Sequence, residues 1–187
     1  MIKNLPMQDN IQVNFSLKGF TSILIGGYLF IAGYVIEALL NNATPLETLS
    51  PKTIENLIIL IAFTFVLLST LTLFFIGKKN AKKLNIQLWG DKTKAAVQKY
   101  IIVIVVAFII LIVLMNLEFT NYLTPTFLIF YGILLFLFKN KERKNLLVLS
   151  GLSLLLAILC FLIPTYWSSS LSILGIAHLT YGVVVKE

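Results

Sequence analysis

From Ile101 to Leu114 the chain runs through fourteen consecutive residues drawn only from Ile, Val, Leu, Ala and Phe. Such a run cannot be one face of an ordinary soluble element, because it has no polar side to show to water. A bilayer core about 30 Å thick needs roughly 20 apolar residues per helix. The sequence divides into six blocks near that length: 17–40, 54–76, 100–117, 123–138, 146–163 and 167–185. Lipid cannot satisfy an open strand edge, so each block is expected to be helical. A transmembrane barrel would alternate apolar and polar residues, and these blocks do not. The expected fold is all-α, a single polytopic membrane helix bundle of six transmembrane helices.

Composition agrees. Hydrophobic residues make up 58% of the 187 and charged residues only 12%, against about a quarter charged in soluble domains. The single cysteine, Cys160, lies inside an apolar block. It cannot form an intrachain disulfide and reads as a small packed hydrophobe. The first sixteen residues are mixed and polar, with Ile11, Val13, Phe15 and Leu17 alternating with other residues. No removable signal peptide is expected there.

Orientation follows from the basic residues. The second connection carries Lys78, Lys79, Lys82, Lys83, Lys92, Lys94 and Lys99, and the fourth carries Lys139, Lys141, Arg143 and Lys144. Lys3, Lys18 and Lys186 lie beside the first and last helices. With six spans these fourteen fall on one side, and Lys52 alone on the other. The positive-inside bias assigns the crowded side, with both termini, to the cytoplasm. The net charge of +7 therefore reports topology, and no nucleic-acid partner is expected. The segment 77–99 reads as a basic cytoplasmic loop. Written as a helix, it places Lys78, Lys79, Lys82 and Lys83 on one side and Ala81, Leu84 and Leu88 on another. That pattern suits contact with anionic lipid headgroups, a solvated topology-setting loop, or docking of a membrane or cytoplasmic protein.

Helices in lipid associate through small residues and polar contacts. The first block carries Ser22, Gly26, Gly33 and Glu37 on one face, widened by Gly27. The sixth carries Leu171, Gly175, His178 and Gly182. The fifth offers Ser150, Gly151, Ser153 and Ala157. Helices one, five and six are expected to form the packed interior, with Gly26, Gly33, Gly175 and Gly182 as packing sites. The third helix, with only Ala107 small, is expected to face lipid.

Ionisable groups inside a span are costly and invite a functional reading. Two qualify. Glu37 lies roughly 5 Å from the outer end of its helix, where it reads as an interfacial carboxylate or as a substrate contact alongside Glu55 and Glu118. His178 lies roughly 13 Å below the outer end and is expected neutral. Tyr131 sits at a similar depth and is its expected hydrogen-bond partner, with Tyr34 next. The candidate ligand-binding set is therefore His178, Tyr131, Tyr34 and Glu37, weighed against a purely structural histidine. One histidine, one cysteine and two aspartates supply no metal-ligand spacing. No nucleophile-elbow or phosphate-loop motif occurs, and no cofactor is implied.

The segments Thr-Pro-Thr-Phe-Leu-Ile-Phe-Tyr-Gly at 124–132 and Gly-Ile-Ala-His-Leu-Thr-Tyr-Gly at 175–182 resemble a family of small six-helix bacterial membrane proteins. The resemblance covers Thr124 to Val185, about a third of the chain. It implies topology and a bacterial plasma (inner) membrane, and carries no activity. The expected function is that of a non-enzymatic membrane scaffold, accessory or stress-related component. The alternative is a small-solute transporter or substrate-binding membrane subunit. A membrane enzyme would rest on His178 as a general base.

Overall fold

Backbone N–H and C=O groups facing lipid must be satisfied within their own segment, and every apolar block is accordingly helical. A computed structural model describes residues 17–40, 50–83, 85, 88–138 and 145–185. It contains α1 (Gly19–Leu40), α2 (Pro51–Lys83), α3 (Asp91–Asn116), α4 (Leu123–Leu137), α5 (Leu146–Leu162) and α6 (Trp167–Val184). Short 3-10 turns at Thr120–Tyr122 and Pro164–Tyr166 precede α4 and α6. Among the described residues, four helical stretches are long and apolar enough to cross a membrane: Gly19–Leu40, Lys52–Lys83, Thr93–Asn116 and Thr120–Leu137. The protein is thus an all-α chain with several membrane-spanning candidates.

The helix ends correct the sequence reading at one place. The segment 77–99 is not a long loop. Residues 77–83 continue α2, which is 33 residues long, about 50 Å at 1.5 Å per residue. Residues 91–99 open α3. Periodicity stops being apolar at Gly77, but helix formation does not depend on apolar side chains. Lys82 and Lys83 lie in the last turn of α2, where cations favour the helix dipole, and Asp91 opens α3, where an anion does. Gly77, Ala81 and Thr93 are buried, whereas Lys78, Lys79, Lys82 and Lys83 are exposed. The α2 extension buries its small residues and turns its lysines outward, and Lys94 and Lys99 of the α3 extension are exposed as well. Asn85 takes a positive φ of 51° in the turn between them, a conformation Asn tolerates better than most residues. Leu84, Pro45, the 11–15 stretch and the basic residues 139–144, with Lys3 and Lys186, lie outside the described residues.

The α3–α4 connection is a Schellman motif. Glu118 takes φ 60°, the Glu118 amide donates to Met115 O at 3.0 Å, and the Phe119 amide donates to Leu114 O at 2.9 Å. Two of the orphan carbonyls of the last turn are thereby satisfied. Pro125 sits in the first turn of α4 and is buried there, where its missing N–H leaves no bond unmade.

Two tight seams hold the bundle. In the first, α1 and α6 run antiparallel. A Cβ added at Gly26 would lie 2.6 Å from Gly175 O, and one at Gly182 would lie 2.6 Å from Gly19 O. Further along, a Cβ at Gly33 would meet Leu171 Cβ at 3.1 Å. The Gly19 amide donates to Val185 O at 3.0 Å, so the start of α1 and the end of α6 share one end of the bundle. In the second seam α5 lies against α4. Ser150 Oγ donates to Gly132 O at 2.7 Å and Ser153 Oγ to Leu128 O at 2.8 Å. Leu128 and Leu174 are fully buried, and Ile25, Leu29 and Cys160 nearly so, in one core cluster.

This corrects the expected interior. The small face of α5 serves α4 rather than α1, because its two serines find α4 backbone carbonyls. Its link to α6 comes near the far end, where Cys160 Sγ donates to Ser170 Oγ at 3.1 Å. Gly27 and Gly151 meet nothing within 4 Å, so Gly27 does not widen the α1 groove. The third helix is as open as expected: among its described side chains only Thr93 and Met115 are buried. It meets α2 through Phe63 and Phe108, edge to face with centroids 6.2 Å apart.

Candidate functional site

The α1–α6 seam approaches closely enough to place Ser22 beside the α6 histidine, and α4 brings Tyr131 to its other side. Tyr131 Oη lies 2.7 Å from His178 Nε2, the pairing expected from their matched depths. Ser22 Oγ lies 3.0 Å from His178 Nδ1 and also donates to the carbonyl oxygen of His178 at 2.9 Å. Ser22 and His178 are both fully buried.

Proton bookkeeping selects one tautomer. Ser22 has a single hydroxyl proton, which goes to the His178 carbonyl. Its oxygen then accepts from Nδ1–H, leaving Nε2 as the acceptor for Tyr131 O–H. Every polar hydrogen of the trio has an acceptor in this arrangement. With the proton on Nε2 instead, Ser22 O–H would have to serve two acceptors and Tyr131 would lose the one it has. The favoured direction, imidazole to serine, is opposite to that of a serine nucleophile activated by histidine, where the base takes the hydroxyl proton.

The other sequence candidates do not join this cluster. Tyr34 is 67% exposed on the outside of α1, because it follows Gly33 and points away from the seam. Glu37 lies on the last turn of α1, half-buried, and lines neither cavity. Gly26, Gly33, Gly175 and Gly182 all lie on the α1–α6 seam. Ser22 was placed on the correct face by spacing, but its bond to His178 was not foreseen.

Two cavities lie on the α2–α3 side. The larger, about 320 Å³, is walled by α2, α3 and α4, with Ile25 of α1 and Leu17 just before it. Its surfaces are overwhelmingly apolar and aromatic, with Ser69, Thr70, Tyr100 and Tyr131 as the polar members. Thr70 Oγ1 donates to Val66 O at 2.7 Å, so the Tyr100 hydroxyl, 2.6 Å away, donates to Thr70. Tyr131 thus faces two ways: its ring walls the cavity while its hydroxyl holds His178. His178 itself lines neither cavity. The smaller void, about 100 Å³, lies between α1, α2, α3 and α4 near Met115.

The cavity is not apparent from the spacing of apolar residues. Its signal was the cluster Ser69, Thr70 and Thr72 within an otherwise apolar stretch of α2. Comparison with family models, curated proteins and solved structures finds no match for this chain, and the resemblance of residues 124–185 gains no support from them.

Proposed function

We propose that this chain is a non-enzymatic, multi-pass membrane protein acting as a scaffold or accessory component. The observation that carries this reading is the complete internal engagement of His178, the one mid-span group suited to acid–base chemistry. It is fully buried, its ring nitrogens and carbonyl oxygen are bound by Ser22 and Tyr131, and it lines neither of the two cavities on the α2–α3 side. Such a histidine fixes the register of three helices. The reading takes six spans, an even number that agrees with α1 starting where α6 ends, and assigns both ends to the cytoplasm from the lysine-rich extensions on that flank; a bacterial plasma membrane rests on the sequence resemblance alone. Lys78, Lys79, Lys82 and Lys83, exposed on the end of α2, suit anionic headgroups on that flank, each worth about 1 kcal/mol near the surface.

The test is topological and chemical together. In a Cys160→Ser background, an Asn121→Cys variant should react with a membrane-impermeant maleimide in intact cells. A Lys79→Cys variant should react only after lysis. Labelling of both from the same side would refute the proposed topology. His178→Gln should lower stability while leaving the cellular phenotype of a deletion complemented. Loss of complementation by a well-folded His178→Gln protein would refute the structural role.

A second reading, a substrate-binding or small-solute transport subunit, is favoured by one observation: the 320 Å³ cavity, at the lower end of the roughly 300–1,000 Å³ typical of ligand sites.

A further inference from the structure

The larger cavity contains an unmet hydrogen bond. Ser69 is 7% exposed, and its Oγ has no partner among the described residues. Its neighbours behave differently: Thr64 and Thr70 return their hydroxyl protons to the carbonyls four residues back, at 2.8 and 2.7 Å. A buried hydroxyl left unpaired is destabilising, and removing it by an alanine substitution would be simple. Its presence in the wall of an apolar cavity marks a place where a ligand supplies the acceptor.

Three features define that ligand. No charged side chain lines the cavity, so the molecule is neutral. Phe74, Trp89 and Phe127 wall it, with the Phe127 and Tyr131 rings stacked at 5.9 Å and 23°; aromatic walls favour a flat ring. Ser69 lies seven residues before Ile76, roughly 10 Å inside the apolar end of α2, below the depth of headgroup charge. Leu71, Trp89 and Ile101 on its rim are exposed, giving entry from the bilayer side. We propose that the cavity binds a neutral, membrane-soluble ring carbonyl compound of the quinone class, whose carbonyl oxygen accepts a hydrogen bond from Ser69 Oγ. This rests on the second reading above and names its ligand class; no redox step is attached to it.

The test uses the full chain in lipid nanodiscs. The chain has two tryptophans, and a Trp167→Phe background leaves Trp89, at the cavity wall, as the fluorophore. The probe is a 1,4-benzoquinone carrying a ten-carbon tail, which quenches indole emission. Saturable quenching is expected, weakened about two- to tenfold by Ser69→Ala, the range of one hydrogen bond. Filling the cavity by Ala107→Phe should abolish saturation. Ala96→Leu serves the same purpose if that variant fails to fold by circular dichroism. Quenching that never saturates, or that survives both filled cavities, means the space holds only bulk acyl chains and overturns the ligand-site reading. Saturable quenching that the filled variants abolish and Ser69→Ala leaves unchanged overturns the carbonyl assignment alone.

Discussion

Gly26 and Gly27 are adjacent on α1, share the same helical backbone, and should respond to alanine with opposite signs. In isolation each replacement favours the helix by about 0.5–1 kcal/mol, since glycine loses more freedom on folding. At Gly27 a methyl meets nothing within 4 Å, so that gain should appear undiminished. At Gly26 the methyl would sit 2.6 Å from Gly175 O, 2.9 Å from His178 Cβ and 3.0 Å from Leu179 N. Two of these are backbone atoms of α6 and cannot rotate aside, so the helices must part. Overpacking of this kind costs about 1–3 kcal/mol. Separation also stretches the Ser22 contacts to His178, now 3.0 and 2.9 Å, each interhelical bond in a membrane averaging about 0.6 kcal/mol. After the helix gain is subtracted, Gly26→Ala should lose about 1–3 kcal/mol. The two variants should thus differ by about 2–4 kcal/mol when unfolded by SDS in mixed micelles and followed by far-UV ellipticity. Equal shifts of the same sign would show that α1 and α6 do not meet along this face, and the description of the seam would fall with them.

Tyr131→Phe removes the donor to Nε2 and leaves a buried acceptor unpaired, so it should cost about 1–3 kcal/mol in the same SDS titration; an unchanged midpoint would argue against the hydrogen bond. Thr21 is fully buried with its hydroxyl unpartnered. Thr21→Val, which keeps the shape and removes the orphan, should raise the midpoint by about 1 kcal/mol. Glu118 occupies the left-handed position that ends α3. Glu118→Gly should relieve strain by up to about 1 kcal/mol, whereas Glu118→Val should lower stability, readable as a paired shift in thermal midpoint.

The parts of this fold legible in the sequence are those set by one helix at a time. Blocks of apolar residues located six helices to within a few residues at most ends, because bilayer thickness fixes their minimum length. The small-residue faces of α1 and α6 also read correctly: the 22–26–33 and 171–175–178–182 spacings put them on single stripes, and only such stripes permit this close an approach. What escaped was anything requiring knowledge of which stripe faces which. Ser150 and Ser153 looked like general packing residues, and only the α4–α5 pairing turns them into donors to Gly132 and Leu128. Tyr34 ranks next after Tyr131 as a companion for His178 in the sequence, yet one residue past Gly33 is about 100° of helix rotation, enough to carry it outside. Helix ends beyond the bilayer were likewise hidden, since hydropathy marks where lipid stops and not where hydrogen bonding stops. That is why the last seven residues of α2 and the first nine of α3 read as loop.

The distribution of polar contacts divides the bundle into unequal halves. On one side α1, α4, α5 and α6 are joined by glycine approaches, serine-to-carbonyl bonds and the His178 trio, interactions that lose their energy over a few tenths of an ångström. On the other, α2 packs along α1, where the Tyr28 and Thr72 hydroxyls lie 3.3 Å apart, and α3 along α4, where the Tyr100 and Phe138 rings meet; α2 and α3 touch each other through Phe63–Phe108 and Thr70–Tyr100, with the 320 Å³ cavity beside them. Aromatic edges tolerate sliding that close backbone contact does not. The α2 and α3 walls, tied to α1 and α4 by such contacts, are therefore the elements that adjust most readily around an occupant, and the four-helix unit is the frame against which each moves. Tyr131 is the one side chain with its ring in the cavity wall and its hydroxyl in the frame. If an occupant reaches the frame, it does so there: ligand in the cavity should change the cost of Tyr131→Phe, while the cost of Gly182→Ala, buried in the α1–α6 seam, should stay the same. Equal dependence of both on the ligand would mean the bundle deforms as one body and that no such division exists.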